Sequence, residues 1–491
     1  MRLAQAVLVW VLALVVFGYG AGRADLGSGY IDPEGRIAPQ DEAVYTHIAL
    51  GMVQSGDWLT PRFLGRLALF KPPLLYWGSA ASLRLLGGTA FAARLPSLLA
   101  AATIALVLFL AVGGWRGAVA AGLWVANPLA YTLARVNLTD SLLACWILLA
   151  SVAIWRRWRA VFAVAVAAAI LTKAIAGLMP VVAIGIWWLL TPGKREQASL
   201  WLPALLAACV LTVPWFLYQF LVHPRWFQAE FIDFEILGFT LGAAPPQTTG
   251  ESSFAFYALR LAKTSAPLLL ITLAALPNAW RSRKQAPLLV LAVSVAAVTL
   301  AVAGNSYRNF AYVLPAIPLL CWLAGRYAPR QAFLAALLLP FFLQPAGPPI
   351  AVADGLKRYQ ALDRGRELIL VDTDDQFLAA TMGFPKLRYA FFGKESDYRR
   401  FGLDFRHLGI VMTPEELAQD PAPYIARLRE WDNGPEPIGT VLVLESADKL
   451  TRLLAQRKAA DFVIPAKFRA AAGSTHEVRE DGRGYLFLLA R

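Results

Sequence analysis

The stretch IAPQDEAVYTHIALGMVQSGDW, Ile37 to Trp58, follows a single apolar segment at residues 4–20, and FKPPLLYW, Phe70 to Trp77, comes shortly after it. Apolar side chains recur at helical spacing in the first stretch, which predicts an amphipathic helix lying in a membrane interface. Pro72 and Pro73 predict the start of a second such helix. We therefore expect a loop at a membrane surface that contains two interfacial helices.

The composition of the whole chain is that of a membrane protein. Hydrophobic residues make up 58% of the 491 residues and charged residues only 16%, whereas an average soluble protein has about 45–50% and about 25%. We predict a polytopic α-helical membrane protein with about eleven apolar segments, the first of which is an uncleaved helix. The predicted segments are 4–20, 92–112, 117–134, 140–155, 160–172, 174–191, 199–219, 255–277, 286–303, 310–325 and 331–347. Lys173, between two short segments, predicts a broken helix.

The apolar character stops near Ile350, which predicts two domains, a transmembrane domain at 1–350 and a small α/β domain at 351–491. Residues 352–491 hold 21 basic and 21 acidic residues, so the net charge of +13 belongs to the membrane domain. Hydrophobic runs in the second domain alternate with helical patterns, which is typical of an α/β domain. The predicted strands are ELILVD (367–372), HLGIVM (407–412), GTVLVL (439–444) and GYLFLL (484–489).

Basic residues cluster in short loops on one side of the predicted helices. The positive-inside rule places that side in the cytoplasm. The N-terminus is then cytoplasmic, and the loops at 21–91 and 220–254 and the C-terminal domain are outside. The clusters are Arg2, Arg116, residues 156–159, Lys194 with Arg195, residues 281–284, and Arg326 with Arg330.

Cysteines and histidines form no metal-binding cluster in the sequence, and the acids of VDTDD at residues 371–375 are either a metal site or, as we expect, part of a solvated loop at the end of a strand. The three cysteines lie inside apolar segments and the four histidines are scattered, so we expect no metal site and no cofactor. We also expect a monomer that contacts membrane lipids and binds no nucleic acid.

The first outer loop brings acids and cations together. Asp41 either caps the first interfacial helix or serves as a general base at the lipid–water boundary. Lys71 precedes a helix start, where unpaired N–H groups favour an anion. Arg62 and Arg66 lie in the same connection, and these cations either bind phosphate or contact anionic headgroups.

A further acid, Asp140, lies at the edge of a predicted membrane segment. Charges at such positions are costly, so they indicate function unless they cap a helix. Arg135 and Asn137 are close enough in sequence to be its partners.

Several motifs occur together in a fixed order. PQDEAVYTHIALGMVQSGDWLTPRFLG, FKPPLLYW, ARVNLTD, LTKAIAGLMP and YRNFAYVLPAIP cover most of residues 1–320. This series resembles the polyprenyl-phosphate-sugar-dependent membrane glycosyltransferases of the GT-C type, which include the aminoarabinose lipid A transferases and the protein O-mannosyltransferases. The resemblance implies that the acids and Lys71 face a lipid-linked sugar donor.

The resemblance also assigns roles to single residues. Asp41 and Asp140 match the family's catalytic acids, and Lys71 matches the lysine that is expected to touch the donor phosphate. Arg308, together with Arg62, is expected at the same phosphate, and Lys173 matches the Leu-Thr-Lys motif. The remaining expected substrate-binding residues are Glu42, Tyr45, Arg135 and Tyr312.

Two departures from the aminoarabinose transferases bear on metal binding. Those enzymes have a glutamate where this chain has Phe70, and a histidine near the start of the eighth span, where this chain has Glu251. Neither the exact sugar nor a metal site follows from the match.

The resemblance implies a glycosyltransferase of the bacterial inner membrane whose C-terminal domain is periplasmic. It would move a sugar from undecaprenyl phosphate to lipid A, another envelope glycan or a protein Ser/Thr, with inversion in a single displacement. The rival hypotheses are a flippase for a lipid-linked sugar, which would show internal repeats, and a non-catalytic subunit that binds a partner protein.

Overall fold

The structure of this chain is a computed structural model that describes most of the first 342 residues and separate pieces of the rest. The described ranges are 2–22, 40–63, 66–190, 201–240, 253–282, 291–292, 295–296, 299, 310–342, 366–371, 387–392, 441–444, 447–472, 476–480 and 485–491.

The N-terminal part is mostly helical over its described residues. Its α-helices are α1 (Arg2–Gly18), α2 (Gln40–Ser55), α3 (Leu74–Leu86), α4 (Ala90–Val112), α5 (Gly114–Val125), α6 (Pro128–Ala134), α7 (Thr139–Arg156), α8 (Arg159–Lys173), α9 (Met179–Leu190), α10 (Leu202–Val222), α11 (Ser253–Arg281) and α12 (Ala316–Tyr327). A helical segment with π-type hydrogen bonds, Phe227–Thr240, follows α10, and 3-10 helices lie at Ala174–Leu178, Phe310–Val313 and Arg330–Phe342.

Six helical stretches among the described residues are long and apolar enough to cross a membrane. The pair α5 and α6, bent by 68°, would make a seventh, and α1 is a shorter apolar helix. The prediction of a polytopic helical protein is confirmed. The number eleven stays a prediction, because the segment at 286–303 lies mostly outside the described residues.

Helix α4 lies at the centre of the membrane domain and packs against α1, α3, α5 and α7. Many of its buried residues are alanines, and small side chains allow helix backbones to approach closely in a membrane protein. The crossing with α5 is especially tight, because a Cβ atom on Gly117 would collide with the carbonyl oxygen of Phe109. This packing fixes the ends of the helices that carry the site.

The loop that follows α1 contains the two helices that the sequence predicts, α2 and α3. Between them the backbone turns at Gly56, which has φ of +76°, and the Asp57 carboxylate accepts the backbone N–H groups of Leu59 and Thr60, both at 3.0 Å. The Leu59 carbonyl then accepts hydrogen bonds from the side chains of Trp215 and Gln219 on α10. The Gly-Asp-Trp motif therefore ties this loop to the membrane helices. A short hairpin, β1 (Arg62–Phe63) with β2 (Arg66–Leu67), completes the connection.

The predicted helix break at Lys173 is confirmed. Helix α8 ends at this residue and the 3-10 helix Ala174–Leu178 follows. Ala174 has φ of +36°, a conformation that is unfavourable for a residue with a Cβ atom and that recurs at functional sites. The break leaves Lys173 at the end of a helix.

The C-terminal part holds a six-stranded mixed sheet. Its strands are β3 (Leu368–Val371), β4 (Leu387–Phe392), β5 (Val441–Leu444), β6 (Asp461–Pro465), β7 (His476–Glu480) and β8 (Tyr485–Ala490). Their order is β5-β4-β3-β6-β8-β7, with parallel pairing from β5 to β6 and antiparallel pairing at β8 and β7. Three of the four predicted strands are confirmed, and the fourth, at 407–412, lies outside the described residues, as does the predicted boundary near residue 350.

Nearly all described residues of β3, β6 and β8 are buried, on both faces of the sheet, as is usual for strands at the centre of a covered sheet. Ile369, Phe462 and Leu488 pack with the helix α13 (Ala447–Gln456). Their neighbours Leu368, Val463 and Phe487 belong to the same contiguous core as the membrane helices. Side chains alternate along a strand, so the sheet turns one face toward that core.

Candidate active site

Charged side chains from five separate parts of the chain meet at one place. Asp41 lies in the first turn of α2, and its carboxylate is within electrostatic range of Lys71, Asp140, Lys173 and Glu235. From the sequence, Asp41 and Asp140 are expected as catalytic acids and Lys71 at the donor phosphate, whereas Lys173 is noted only as part of a family motif. Glu235, in the segment Phe227–Thr240, is the member that was not expected.

Asp140 and Lys173 form one ion pair of this cluster, with 2.9 Å between the carboxylate and Nζ. Asp140 lies in the first turn of α7 and Lys173 at the end of α8, and both side chains are largely buried. The Lys173 ammonium also lies 4.4 Å from the centre of the Tyr312 ring, which stabilises the cation. Tyr312 is therefore at the site, and the partner of Asp140 found here is Lys173.

Lys71 and Glu235 form the second ion pair. Lys71 is 9% exposed and Glu235 is 5% exposed. The backbone is held beside this pair, because the Glu230 carboxylate accepts the Leu69 N–H at 2.7 Å. The segment Phe227–Thr240 thus places one carboxylate against Leu69 and another against Lys71.

Asp41 is an exposed residue, whereas Lys71, Asp140 and Glu235 in the same cluster are buried. Protein nevertheless surrounds it closely enough for desolvation to raise the pKa of Asp41 above its usual value. The Lys71 ammonium opposes this change most, the Asp140 carboxylate adds to it, and the Lys173 ammonium opposes it. A reachable carboxylate with a raised pKa is what a general base requires.

Tyr45 forms part of the wall beside Asp41. Its ring is buried and packs edge-on against Tyr76, with 5.7 Å between the ring centres, and at 6.4 Å from Phe70. Burial and the nearby Asp41 carboxylate raise the pKa of Tyr45 well above its usual value. The phenol therefore stays protonated and is available as a hydrogen-bond donor.

The position of Glu42 corrects its interpretation as a substrate-binding residue. Glu42 is 2% exposed, and its two carboxylate oxygens accept hydrogen bonds from Nε and Nη2 of Arg94, at 2.6 and 3.2 Å. Arg94, on α4, is completely buried and also donates to the Ala21 carbonyl. The same Glu42 carboxylate accepts the Asn137 N–H at 2.9 Å. Glu42 therefore joins α2 to the membrane core through these bonds.

The other basic and polar residues that were expected near the site have contacts of their own or lie outside the described residues. The Arg135 guanidinium lies 4.6 Å from the centre of the Tyr131 ring, and the Asn137 side chain bonds Thr46 and Ser79. Arg62 lies half-buried in β1. Arg308 falls outside the described residues.

Metal binding receives no support from the described part of the chain. Within it, no three His, Cys, Asp or Glu side chains lie close enough together to hold an ion. Glu251, which stands where the aminoarabinose transferases have a histidine, is outside that part. Independence from metals remains a prediction.

Part of this chain matches a family model. Residues 70–218 match the model described as dolichyl-phosphate-mannose-protein mannosyltransferase. The curated relatives include undecaprenyl phosphate-alpha-4-amino-4-deoxy-L-arabinose arabinosyl transferases. That of Serratia proteamaculans is 26% identical over 65% of this chain and 59% of its own length. That of Pseudomonas aeruginosa is 30% identical over 52% of this chain and 48% of its own length. The chain thus spans about half the length of the curated relatives that it matches.

The fold has solved counterparts along nearly the whole chain. ArnT from Cupriavidus metallidurans in the apo state has 20% sequence identity and a TM-score of 0.60, over 99% of this chain and 98% of that one. The same protein bound to undecaprenyl phosphate has 21% identity and a TM-score of 0.57 over the same shares. These likenesses show a common fold. Together with the family model they confirm the resemblance to GT-C membrane glycosyltransferases that the sequence motifs indicate.

Proposed function

We propose that this chain is a glycosyltransferase that moves a sugar from undecaprenyl phosphate to lipid A or a related envelope acceptor. The reaction takes place on the outer face of the bacterial inner membrane. The observation that carries the proposal is the cluster of Asp41, Lys71, Asp140 and Lys173, which joins a reachable carboxylate to two cations at one site. The relatives named as arabinosyl transferases, and the ArnT fold with undecaprenyl phosphate bound, support this substrate class.

The chemistry needs two kinds of group. The acceptor oxygen attacks the anomeric carbon of the sugar while the bond from that carbon to the donor phosphate oxygen breaks. Asp41 takes the acceptor proton, and undecaprenyl phosphate leaves with the bonding electrons. A single displacement of this kind inverts the configuration at the sugar carbon.

Cations are needed where the leaving phosphate gains charge. Lys71 supplies one, and Arg62 and Arg308 are expected to add others. Charge stabilisation of this kind is most effective in a site from which water is largely excluded, and Lys71 is 9% exposed. Asp140 holds Lys173 at the site, and Tyr312 covers the same ammonium.

Transfer by the purified protein tests this function directly. The protein in detergent is incubated with a glycosylated undecaprenyl phosphate and lipid A, and the products are identified by mass spectrometry. We expect lipid A heavier by one sugar, together with free undecaprenyl phosphate. Sugar attached only to protein Ser/Thr would replace the proposed acceptor, and an unchanged donor with every envelope acceptor would contradict the function.

Lys71→Ala is expected to weaken use of the donor far more than use of the acceptor. Charged hydrogen bonds contribute about 1.5–3 kcal/mol, so the KM for the donor should rise about 10–100-fold while the KM for the acceptor changes little. Steady-state kinetics with each substrate varied in turn measure both constants. Lys263→Ala, at an exposed lysine on α11, is the control, and equal changes in the two KM values would refute the assignment of Lys71 to the phosphate.

Chelators are expected to leave the activity unchanged. The donor phosphate would meet lysine and arginine side chains in place of a divalent ion. Transfer is measured before and after treatment with EDTA, and then with Mg²⁺, Mn²⁺ or Zn²⁺ added back. Activity that disappears with EDTA and returns with one of these ions would show that the site depends on metal.

The C-terminal domain is expected in the periplasm and the N-terminus in the cytoplasm. The basic clusters between the apolar segments favour this orientation. Alkaline phosphatase fused after Arg491 should be active, and green fluorescent protein at the same position should be dark. The reverse pattern would place the proposed active site on the wrong side of the membrane.

A further inference from the structure

The pairing of Lys71 raises a question about donor binding. An ammonium that is to receive a phosphate already contacts a carboxylate, Glu235, and both side chains are largely buried. Their residues are 164 positions apart in the sequence, so the pair exists only because the segment Phe227–Thr240 packs against the residues before Lys71. A carboxylate and a phosphate are both anions that bind a lysine ammonium.

We propose that Glu235 is a positioning residue that occupies Lys71 until the donor phosphate takes its place. The inference rests on the proposed function, because it requires that Lys71 meets a phosphate. Binding of the donor then breaks the Lys71–Glu235 pair and loosens one contact between the segment Phe227–Thr240 and the residues that lead to Lys71.

The hydrogen bond between the Glu230 carboxylate and the Leu69 N–H keeps the segment in place during this exchange. Glu230 accepts the backbone N–H of Leu69 and is 1% exposed. This bond involves no lysine, so an arriving phosphate does not compete for it. Glu230 is five residues before Glu235. The part of the segment around Glu235 can therefore move while the part around Glu230 stays attached to Leu69.

The exchange also preserves the charge around the general base. The Glu235 carboxylate is one of the groups that raise the pKa of Asp41. A phosphate at Lys71 puts a negative charge in nearly the same position. Asp41 therefore stays in a similar electrostatic environment when the donor is bound.

The test measures binding of undecaprenyl phosphate without any sugar, so that it does not depend on turnover. Glu235→Gln keeps the size of the side chain and removes its charge. We expect this variant to bind undecaprenyl phosphate about tenfold more tightly than the wild type, because the competing anion is gone. Affinity is measured by native mass spectrometry in detergent and by the rise in melting temperature that the lipid produces.

Two further variants separate a positioning role from a structural one. Asp233→Asn removes a neighbouring carboxylate that bonds Gln228 at the surface, and it should leave the affinity unchanged. In a Lys71→Ala background, Glu235→Gln should no longer tighten binding, because Glu235 acts through Lys71. A structural role would lower the melting temperature of the Glu235→Gln variant without raising its affinity for the lipid.

Each outcome decides between the two proposals. If the wild type binds undecaprenyl phosphate and Glu235→Gln binds it equally or more weakly, the exchange is overturned and the proposed function stands. Absence of binding by the wild type and by all variants overturns both. Tighter binding by Glu235→Gln with a lower KM for the donor and a similar kcat supports the exchange.

Discussion

Asp41→Asn is expected to abolish sugar transfer and to leave the protein folded and inserted. Asparagine has nearly the same size as aspartate and caps a helix about as well, so a residue that only caps α2 would tolerate the change. An amide cannot accept the proton of the acceptor, and the general-base contribution of roughly 10²–10⁴-fold would be lost. The measurement is kcat in the purified transfer assay, with the melting temperature as the test of folding.

Asp57→Asn is the matched control for this variant. Asp57 is an exposed aspartate in the loop that follows α2. Its carboxylate accepts two backbone N–H groups, and an amide oxygen can accept both of them as well. The transfer activity of Asp57→Asn should stay near that of the wild type. Near-normal turnover by Asp41→Asn would show that another group is the base, and Asp140→Asn would then be the next variant to test.

The pH dependence of the wild type provides an independent check on Asp41. Its pKa is raised, chiefly by desolvation, so the carboxylate takes up a proton at a higher pH than an ordinary aspartate does. Transfer needs the ionised form, and activity should therefore fall with decreasing pH before an unperturbed aspartate would titrate. This acidic limb should be absent from whatever residual activity Asp41→Asn retains.

Arg94→Met is expected to destabilise the protein by about 3–5 kcal/mol, because it leaves the buried Glu42 carboxylate without its counter-charge. The expected results are a lower melting temperature and a much smaller yield of folded protein from membranes. Arg84→Ala, at an exposed arginine in the last turn of α3, is the control and should cost only a few tenths of a kcal/mol.

A double variant tests the reason for this loss. Arg94→Met with Glu42→Gln removes both charges, and well-packed neutral residues often replace a buried ion pair at little cost. It should recover part of the lost stability, although the Asn137 N–H and the Ala21 carbonyl, which now bond Glu42 and Arg94, limit the recovery. If Arg94→Met alone is as stable as the wild type, the Arg94–Glu42 pair contributes nothing to the stability of the fold.

The sequence predicts best those features that depend on neighbouring residues. The starts of α2 and α3, the break at Lys173 and the strand at 368–371 each follow from a local pattern of proline, apolar spacing or an isolated charge. The strand β7, with the sequence HEVRE, was missed because it lies at the edge of the sheet and carries polar residues along its length.

Features that depend on distant partners escaped prediction. Arg94, Glu230 and Glu235 look like ordinary charges in their local sequence, and their partners lie 52, 161 and 164 residues away. The same limit explains the error at Glu42. It stands beside Asp41 in the motif, yet one helical step of about 100° turns its side chain into the core.

The three buried ion pairs found among the described residues differ in sequence separation, which sets the order in which their partners are synthesised. The ribosome makes Arg94 52 residues after Glu42 and Lys173 33 residues after Asp140, so these charges meet early during membrane insertion. Lys71 is synthesised 164 residues before Glu235 and remains without that partner while α4 to α10 enter the bilayer. A ribosome that stalls before residue 235 would leave an incomplete chain with a lysine lacking this carboxylate beside the membrane, a feature that quality-control proteases could recognise.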